Sequence, residues 1–283
     1  MRKGIYAVLA MCAGMILFAE SCKEKKPATE EAPAAAPADS DTLYVADTLA
    51  QIIEEQPVPK AADELFDDFI YVFCHNRKHQ LSRIQWPLKE ITAGKVTVVQ
   101  RKQWYMEQLY MPQGFCTLIL DNYKQQEQAK DTAVSHVVVE KIFLDKNVVR
   151  SFHFNRMEGQ WMLTSVENSV MGSNPNGSFL TFYEKFSTDS AFQAESLAET
   201  IAFSGPNPDD DSEELQGEIT PAQWEDFQPG ELPQGVIYNT VYGERGKAGH
   251  QKIFLLRGIA SGQEMQLTFK QMDGAWKLVG LKE

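Results

Sequence analysis

The sequence contains little that would commit it to a known chemistry. It has no G-x-S-x-G elbow, no phosphate-cradling glycine loop, no dinucleotide fingerprint and no zinc-site spacing, so mechanisms built on those motifs have no foothold. Only 4 cysteines occur in 283 residues, which excludes a disulfide-stapled scaffold. No apolar run approaches the ~20 residues a membrane-spanning helix needs. Positive charge is also scarce: 27 Lys and Arg face 39 Asp and Glu, for a net charge of −12, which argues against a nucleic-acid partner. What is present is apolar material, 43% hydrophobic and 11% aromatic residues. That is enough for real cores, in one large domain or two of ~100–200 residues.

The first residues read as an address. Arg2 and Lys3 precede a 14-residue apolar stretch, Ile5–Phe18, and Ala19-Glu20-Ser21-Cys22 follows at once. That is the layout of a secretory signal; as a helix the stretch would reach only about 21 Å, short of the ~30 Å hydrocarbon core. Residues 1–21 resemble a bacterial lipoprotein signal, with Cys22 as the acylated residue. Ala19 stands where Leu is usual and Glu20 is an odd neighbour. Ala19 and Ser21 also fit an ordinary cleavage site, which leaves simple secretion as the competing reading. Residues 22–60 are rich in Pro, Ala and acids, as in Glu30–Asp41, and have too little to bury to repay ordering; Ala46–Glu55 is a short helical turn at most. The resemblance implies a lipid-anchored protein of the cell envelope, on the outer membrane and facing either the periplasm or the surface.

The remainder is written twice. Phe66, Phe69 and Phe73 recur as Phe179, Phe182 and Phe186, 113 residues on. Phe154, Gly159 and Trp161 recur as Phe269, Gly274 and Trp276, 115 residues on. Between them Lys141-Ile-Phe-Leu144 answers Lys252-Ile-Phe-Leu255, and Gln103-Trp104 answers Gln223-Trp224. This divides the chain into two tandem domains, 61–170 and 174–283, joined by the turn formers of 172–177. Each is expected to open with an amphipathic helix, the second one capped by Ser178. A second helix is predicted over Gln80–Trp86 and over Ala191–Phe203, stopped by Pro87 and by Gly205-Pro206. Strand patterns follow at 95–100, 114–120, 136–144, 148–155 and 161–166, then at 236–242, 251–256, 265–271 and 276–281. Helices followed by antiparallel strands make an α+β fold.

With an N-terminal amphipathic helix and a closing hairpin at Phe154–Leu163 and again at Phe269–Leu278, each half resembles the nuclear transport factor 2-like family, which includes SnoaL and ketosteroid isomerase. The whole chain also resembles uncharacterised Bacteroides-type lipoproteins. The resemblance implies two cone-shaped domains, each a helix pair packed on a curved antiparallel sheet. The fold serves isomerases, hydrolases, ligand binders and interaction modules alike, so it leaves the function open.

Candidate chemistry is thin. Cys74 and Cys116 either bridge, as an oxidising envelope permits, or are two buried thiols. His75 and His79 stand four apart, as zinc ligands on a helix do, but lack a partner Glu and flank Arg77 and Lys78. The acidic run 209–214 lacks the spacing of a calcium loop and reads as a solvated loop. By segment the net charge is 0 for 61–170, −9 for 171–283 and −4 for 22–60. Asp-Thr or Asp-Ser followed by an apolar residue resembles the sites that Bacteroides-type bacteria O-glycosylate; Thr42 and Thr48 lie in the tether, Thr132 and Ser190 in the domains. No catalytic, metal or cofactor-binding residue is assigned and no cofactor is expected. The only repeated polar features are Glu158 with Asp273 and Lys141 with Lys252, whereas a catalytic site used twice would leave the same acid or base in both halves. The expectation is a non-enzymatic, lipid-anchored binding or scaffold module for a small apolar ligand, a peptide or an envelope protein. The alternatives are an isomerase- or hydrolase-type enzyme confined to the first domain, where Tyr71, His75 and Asp121 would meet in the cone, and a structural partner in an outer-membrane complex.

Overall fold

Phenylalanines spaced three and four apart build the first helix. Phe66, Phe69, Ile70, Phe73 and Cys74 bury one stripe of α1, Phe66–His75, and Asp67 and Asp68 sit in its first turn, where they complement the dipole. After α1 come α2 (Arg77–Ser82), β1 (Ile84–Thr92), β2 (Lys95–Val99), β3 (Phe115–Leu120), a short α3 (Lys124–Glu127), β4 (His136–Phe143), β5 (Val148–Met157) and β6 (Gln160–Val170). The second half runs α4 (Gly177–Thr188), α5 (Ser190–Glu195), β7 (Leu197–Asn207), β8 (Asp210–Ile219), α6 (Trp224–Phe227), β9 (Val236–Tyr242), β10 (Gln251–Gly258), β11 (Glu264–Met272) and β12 (Ala275–Lys282). This computed structural model describes residues 65–207, 210–230, 232–244 and 249–283. Cys22, Thr42, Thr48 and the segment 46–55 therefore lie outside the described residues.

The nine predicted strands are present, and three further strands among the described residues, β1, β7 and β8, occupy segments expected as helix or loop. The helices expected over 80–86 and 191–203 end at Ser82 and Glu195, and β1 and β7 take the rest. Pro87 does not end a helix; it lies inside β1, where the pairing to β6 is interrupted between Ile84 and Lys89, so no ladder donor is missed. Pro206 lies on β7 beyond the residues that pair with β12, which end at Ser204. The acidic run, expected as a loop, supplies β8. Asn176, not Ser178, is the N-cap residue of α4. Gly177 follows because a Cβ there would stand 2.6 Å from the Met171 carbonyl oxygen.

All twelve strands form one sheet, in the order β2-β1-β6-β5-β4-β9-β3-β10-β11-β12-β7-β8. It is mainly antiparallel; β1 with β6, β7 with β12 and β3 with β9 run parallel. The order reads the same way from either end, with one exchange in the middle. The fourth strand of the first half, β4, pairs with β9 from the second half, and β10 pairs with β3 from the first. Side chains alternate between faces along a strand, and the two cores sit on opposite faces at the centre. Cys116, Leu118 and Leu120 of β3 join the first core, with α1, while Ile119 joins the second, with α4. Register shifts at His153/Phe154 and Thr268/Phe269 bend the two halves at the same repeat position.

The duplication extends to polar detail that the sequence reading missed. Gln80 and Gln193 are 113 residues apart, the spacing of the phenylalanines. Each donates to the carbonyl of the last helix phenylalanine, Phe73 at 2.9 Å and Phe186 at 3.1 Å. Each also accepts from an indole N–H, that of Trp104 at 2.8 Å and Trp224 at 3.0 Å. Gln80 additionally bridges both backbone groups of Glu107 and is fully buried. Leucine at position 80 leaves several of these groups unpaired, so Gln80→Leu should cost about 2–4 kcal/mol in urea denaturation. Gln193→Leu, with fewer bonds at a half-buried position, should cost roughly 1–2 kcal/mol. Equal costs would contradict this reading of the pair. The Glu158-Gly159 and Asp273-Gly274 turns also match, with φ of 52° and 79° against 52° and 81°.

Candidate functional site

The residues singled out from the sequence do not converge. Tyr71 is 49% exposed on the outer side of α1, its ring 4.3 Å from that of His75. Asp121 directly follows β3 and accepts from the Lys252 ammonium. His75 and His79 lie on two different helices, because Asn76 ends α1 and caps α2. Among the described residues no cluster of three His, Cys, Asp or Glu has the geometry to hold a metal ion. Cys74 and Cys116 are both buried in the first core and both are free thiols. Burial pushes the Cys116 thiol up to about 12 and raises that of Cys74 as well, so neither is a nucleophile near neutral pH. Thr132 and Ser190 are exposed, but Asp189 is already used as the cap of α5, accepting from Ala191 and Phe192.

What holds the exchanged strands is a set of buried polar contacts. Thr117 and Asn239 are the one registered pair between β3 and β9. The Asn239 carboxamide replaces the missing ladder: its oxygen accepts from the Ile119 N–H at 2.8 Å and its nitrogen donates to Glu140 Oε2 at 2.7 Å. Glu140 Oε1 accepts from Asn174 of the inter-half joint at 2.7 Å. Just beyond β3, the buried Lys252 ammonium donates to Asp121 at 2.6 Å and to Asn176 at 2.7 Å. At the end of β9, the Tyr242 hydroxyl donates to Asp67 of α1, with Arg257 3.6 Å away. These contacts join the halves, so they are first of all structural.

The Asp67–Tyr242 pair is nevertheless the arrangement nearest to acid–base chemistry. Burial raises the Asp67 carboxyl, opposed by the Tyr242 hydroxyl and Arg257. Burial also pushes the Tyr110 and Tyr242 phenols well above their usual value. The space around them is filled: Tyr110 and Tyr242 are 4% and 6% exposed, and Phe66 and Tyr238 pack against their rings.

The two cone mouths differ. Register makes Leu256 the counterpart of Lys141 and Met265 the counterpart of Arg150, since Leu256 pairs Met265 as Lys141 pairs Arg150, 115 residues apart. In the first half these positions are closed by cations. Lys141 lies over the Phe143 and Tyr238 rings at 5.4 and 5.6 Å, and Arg150 lies over Phe152 at 5.5 Å while bonding Glu90 at 2.6 Å. In the second half Leu256 and Met265 are apolar and floor an open groove of about 800 Å³ with Phe115. Glu213, Glu214, Glu264 and Glu283 also line it, and among the described residues no Lys or Arg does. Glu214 and Glu264 turn their carboxylates to the other face of the sheet, toward Lys282 and Arg257, which leaves Glu213 and Glu283 on the groove side. Hydrogen bonding from the Lys282 ammonium holds the Glu214 carboxyl below the usual range, so it stays ionised. Arg257 bonds Glu264 at 2.7 Å from outside the groove. The same register shows that the Lys-Ile-Phe-Leu match was misleading. Phe254 stands opposite Leu267 as Val139 stands opposite Phe152, so Lys141 and Lys252 are not equivalent.

Residues 45–283 match the model of a family described as a domain of unknown function (DUF4348). Among solved structures the chain is similar to an NTF2-like protein from Bacteroides fragilis NCTC 9343, at 33% identity and a TM-score of 0.73. That likeness covers 80% of this chain and 98% of the other. No curated protein matches.

Proposed function

We propose, for a chain that belongs to the family described as a domain of unknown function (DUF4348) and carries an NTF2-like fold, a binding role rather than a catalytic one. Its site is the groove at the mouth of the second cone, and its ligand carries a positive charge on an apolar body. The observation behind this is the divergence of the two halves at one cross-strand pair of repeat positions, Lys141 and Arg150 against Leu256 and Met265. Where the first half places its own Lys141 and Arg150 over the Phe143, Tyr238 and Phe152 rings, the second offers an apolar floor flanked by Glu213 and Glu283. A cation supplied from outside would reproduce there what the first half makes internally, with apolar contact and charge attraction acting together. The volume lies in the usual range for small-ligand sites.

The signal-like residues 1–21 and Cys22 put this module on a lipid anchor in the cell envelope, with residues 22–60 as its tether. Localisation by membrane fractionation of wild type against Cys22→Ser tests that part.

Octylammonium and octanoate separate charge from apolarity, having the same chain and opposite heads. In calorimetric titration octylammonium should bind about tenfold more tightly than octanoate. The Leu256→Lys, Met265→Arg double variant, which copies the first half, should abolish the preference. Equal binding of the two probes would refute the reading. The competing enzyme reading centres on Asp67 and Tyr242, whose phenol is packed by Phe66 and only 6% exposed.

A further inference from the structure

We infer that the groove's occupant is the β2 edge of a second copy of this chain, so that copies associate head to tail. The inference rests on the groove being a site for a cationic, apolar group, and adds what supplies that group. β2 is one outer edge of the twelve-stranded sheet and β8 is the other. An edge strand presents unpaired backbone groups, and native proteins usually guard it with charge, proline or a bulge. Here β2 is Lys95-Val-Thr-Val-Val99, with Val96 and Val98 57% and 52% exposed. The exposed Arg101 and Lys102 follow at once, and 95–102 contains three bases and no acid. This segment is cationic and apolar at once, which is what the groove is shaped to receive.

Charge settles which edges meet. The groove lies along the opposite end of the sheet, where Glu213 of β8 flanks it. Two β2 edges brought together would set Lys95, Arg101 and Lys102 against their own copies, and two β8 edges would set glutamates against glutamates. Only β2 against the β8 side pairs opposite charges, with Val96 and Val98 directed to Leu256, Met265 and Phe115. Half-by-half charge agrees, 0 for 61–170 against −9 for 171–283. Such a contact uses two different surfaces, so each added copy leaves one of each free and the assembly is open-ended.

Sedimentation velocity on the protein tests this. At low salt the weight-average mass should rise at least about twofold from micromolar to several hundred micromolar protein, and should fall back to that of the monomer in ~0.5 M salt. Val98→Asp on the exposed β2 and Leu256→Lys, which installs the residue the first half carries at that repeat position, should each give monomers. Mixed one to one, the two variants should form dimers and stop there, since the first keeps its groove and the second its β2. A wild type that stays monomeric, a Val98→Asp variant that still associates, or a mixture that stays monomeric would each overturn the inference. Octylammonium binding by Val98→Asp separates the two levels. If it persists while association is absent from wild type, self-association fails and the groove reading stands. If octylammonium does not bind, the groove reading fails.

Discussion

Separated after residue 172, the halves 61–172 and 173–283 should fail to unfold cooperatively on their own and should recover a native-like fold when mixed. The reason is the strand exchange. Without the second half the first core loses Tyr238, Tyr242, Ile253 and Leu255; without the first half the second core loses Ile119, Ile142, Leu144, Val149 and Met171. At roughly 1.5–3 kcal/mol for each fully buried side chain, four of them represent about 6–12 kcal/mol. That is comparable with the entire stability of an ordinary domain, ~5–15 kcal/mol. In addition β4 and β10 would each be left with an unpaired edge. Circular dichroism with urea denaturation of each fragment and of the mixture reads the outcome. A fragment that unfolds cooperatively by itself, with a midpoint near that of the whole chain, would show that the third strand can fold back into its own half.

Asn239→Leu should destabilise the chain by about 3–5 kcal/mol, because a buried N–H loses its acceptor and a buried carboxylate loses one of its donors. The Ile119 N–H has no other acceptor offered by the single-pair β3/β9 ladder, and the Glu140 carboxylate, 1% exposed, loses a donor at 2.7 Å. Thr117→Val supplies the comparison. Its hydroxyl donates to the Tyr238 carbonyl at 2.7 Å, one neutral bond whose loss should cost roughly 1–2 kcal/mol. Urea denaturation of both variants gives the ratio. A loss below 1 kcal/mol at Asn239 would mean that the seam is held by apolar packing and that its polar groups are incidental.

The parts of this fold that the sequence made legible are those fixed by local pattern. Phenylalanines at helical spacing located α1 and α4, and the Glu158-Gly159 and Asp273-Gly274 turns located the closing hairpins. The strands β1 and β7 were hidden because Pro87 and Gly205-Pro206 look like helix stops, and only the sheet reveals that each proline lies where it costs no ladder bond. The exchange of β3 and β9 is invisible to pattern. A strand with Leu118 and Leu120 on one face and Ile119 on the other reads the same whichever neighbour it takes.

The site was harder still. Its signal is a difference between Lys141 and Leu256, and between Arg150 and Met265, positions that correspond only once the registers of β4 and β10 are known. The Lys-Ile-Phe-Leu match set that register wrong by four residues, and so hid the contrast. Gln80 and Gln193 share the 113-residue spacing of the phenylalanines, so the sequence does carry their signal, at a different offset from the hairpins at 115. Tyr71, His75 and Asp121 share only their chemistry: Tyr71 and His75 are one turn apart on α1 with their rings in contact, while Asp121 follows β3 and bonds Lys252.

Hydrogen–deuterium exchange with and without octylammonium tests the central claim most directly, because it reports where the cation binds. Protection is predicted along the groove, at Glu213–Leu215 of β8 and across the facing ends of β10 and β11 from Leu256 to Met265. Protection at Asp67, Tyr110 and Tyr242, with none along the groove, would contradict the account and return the first cone to the position of active site.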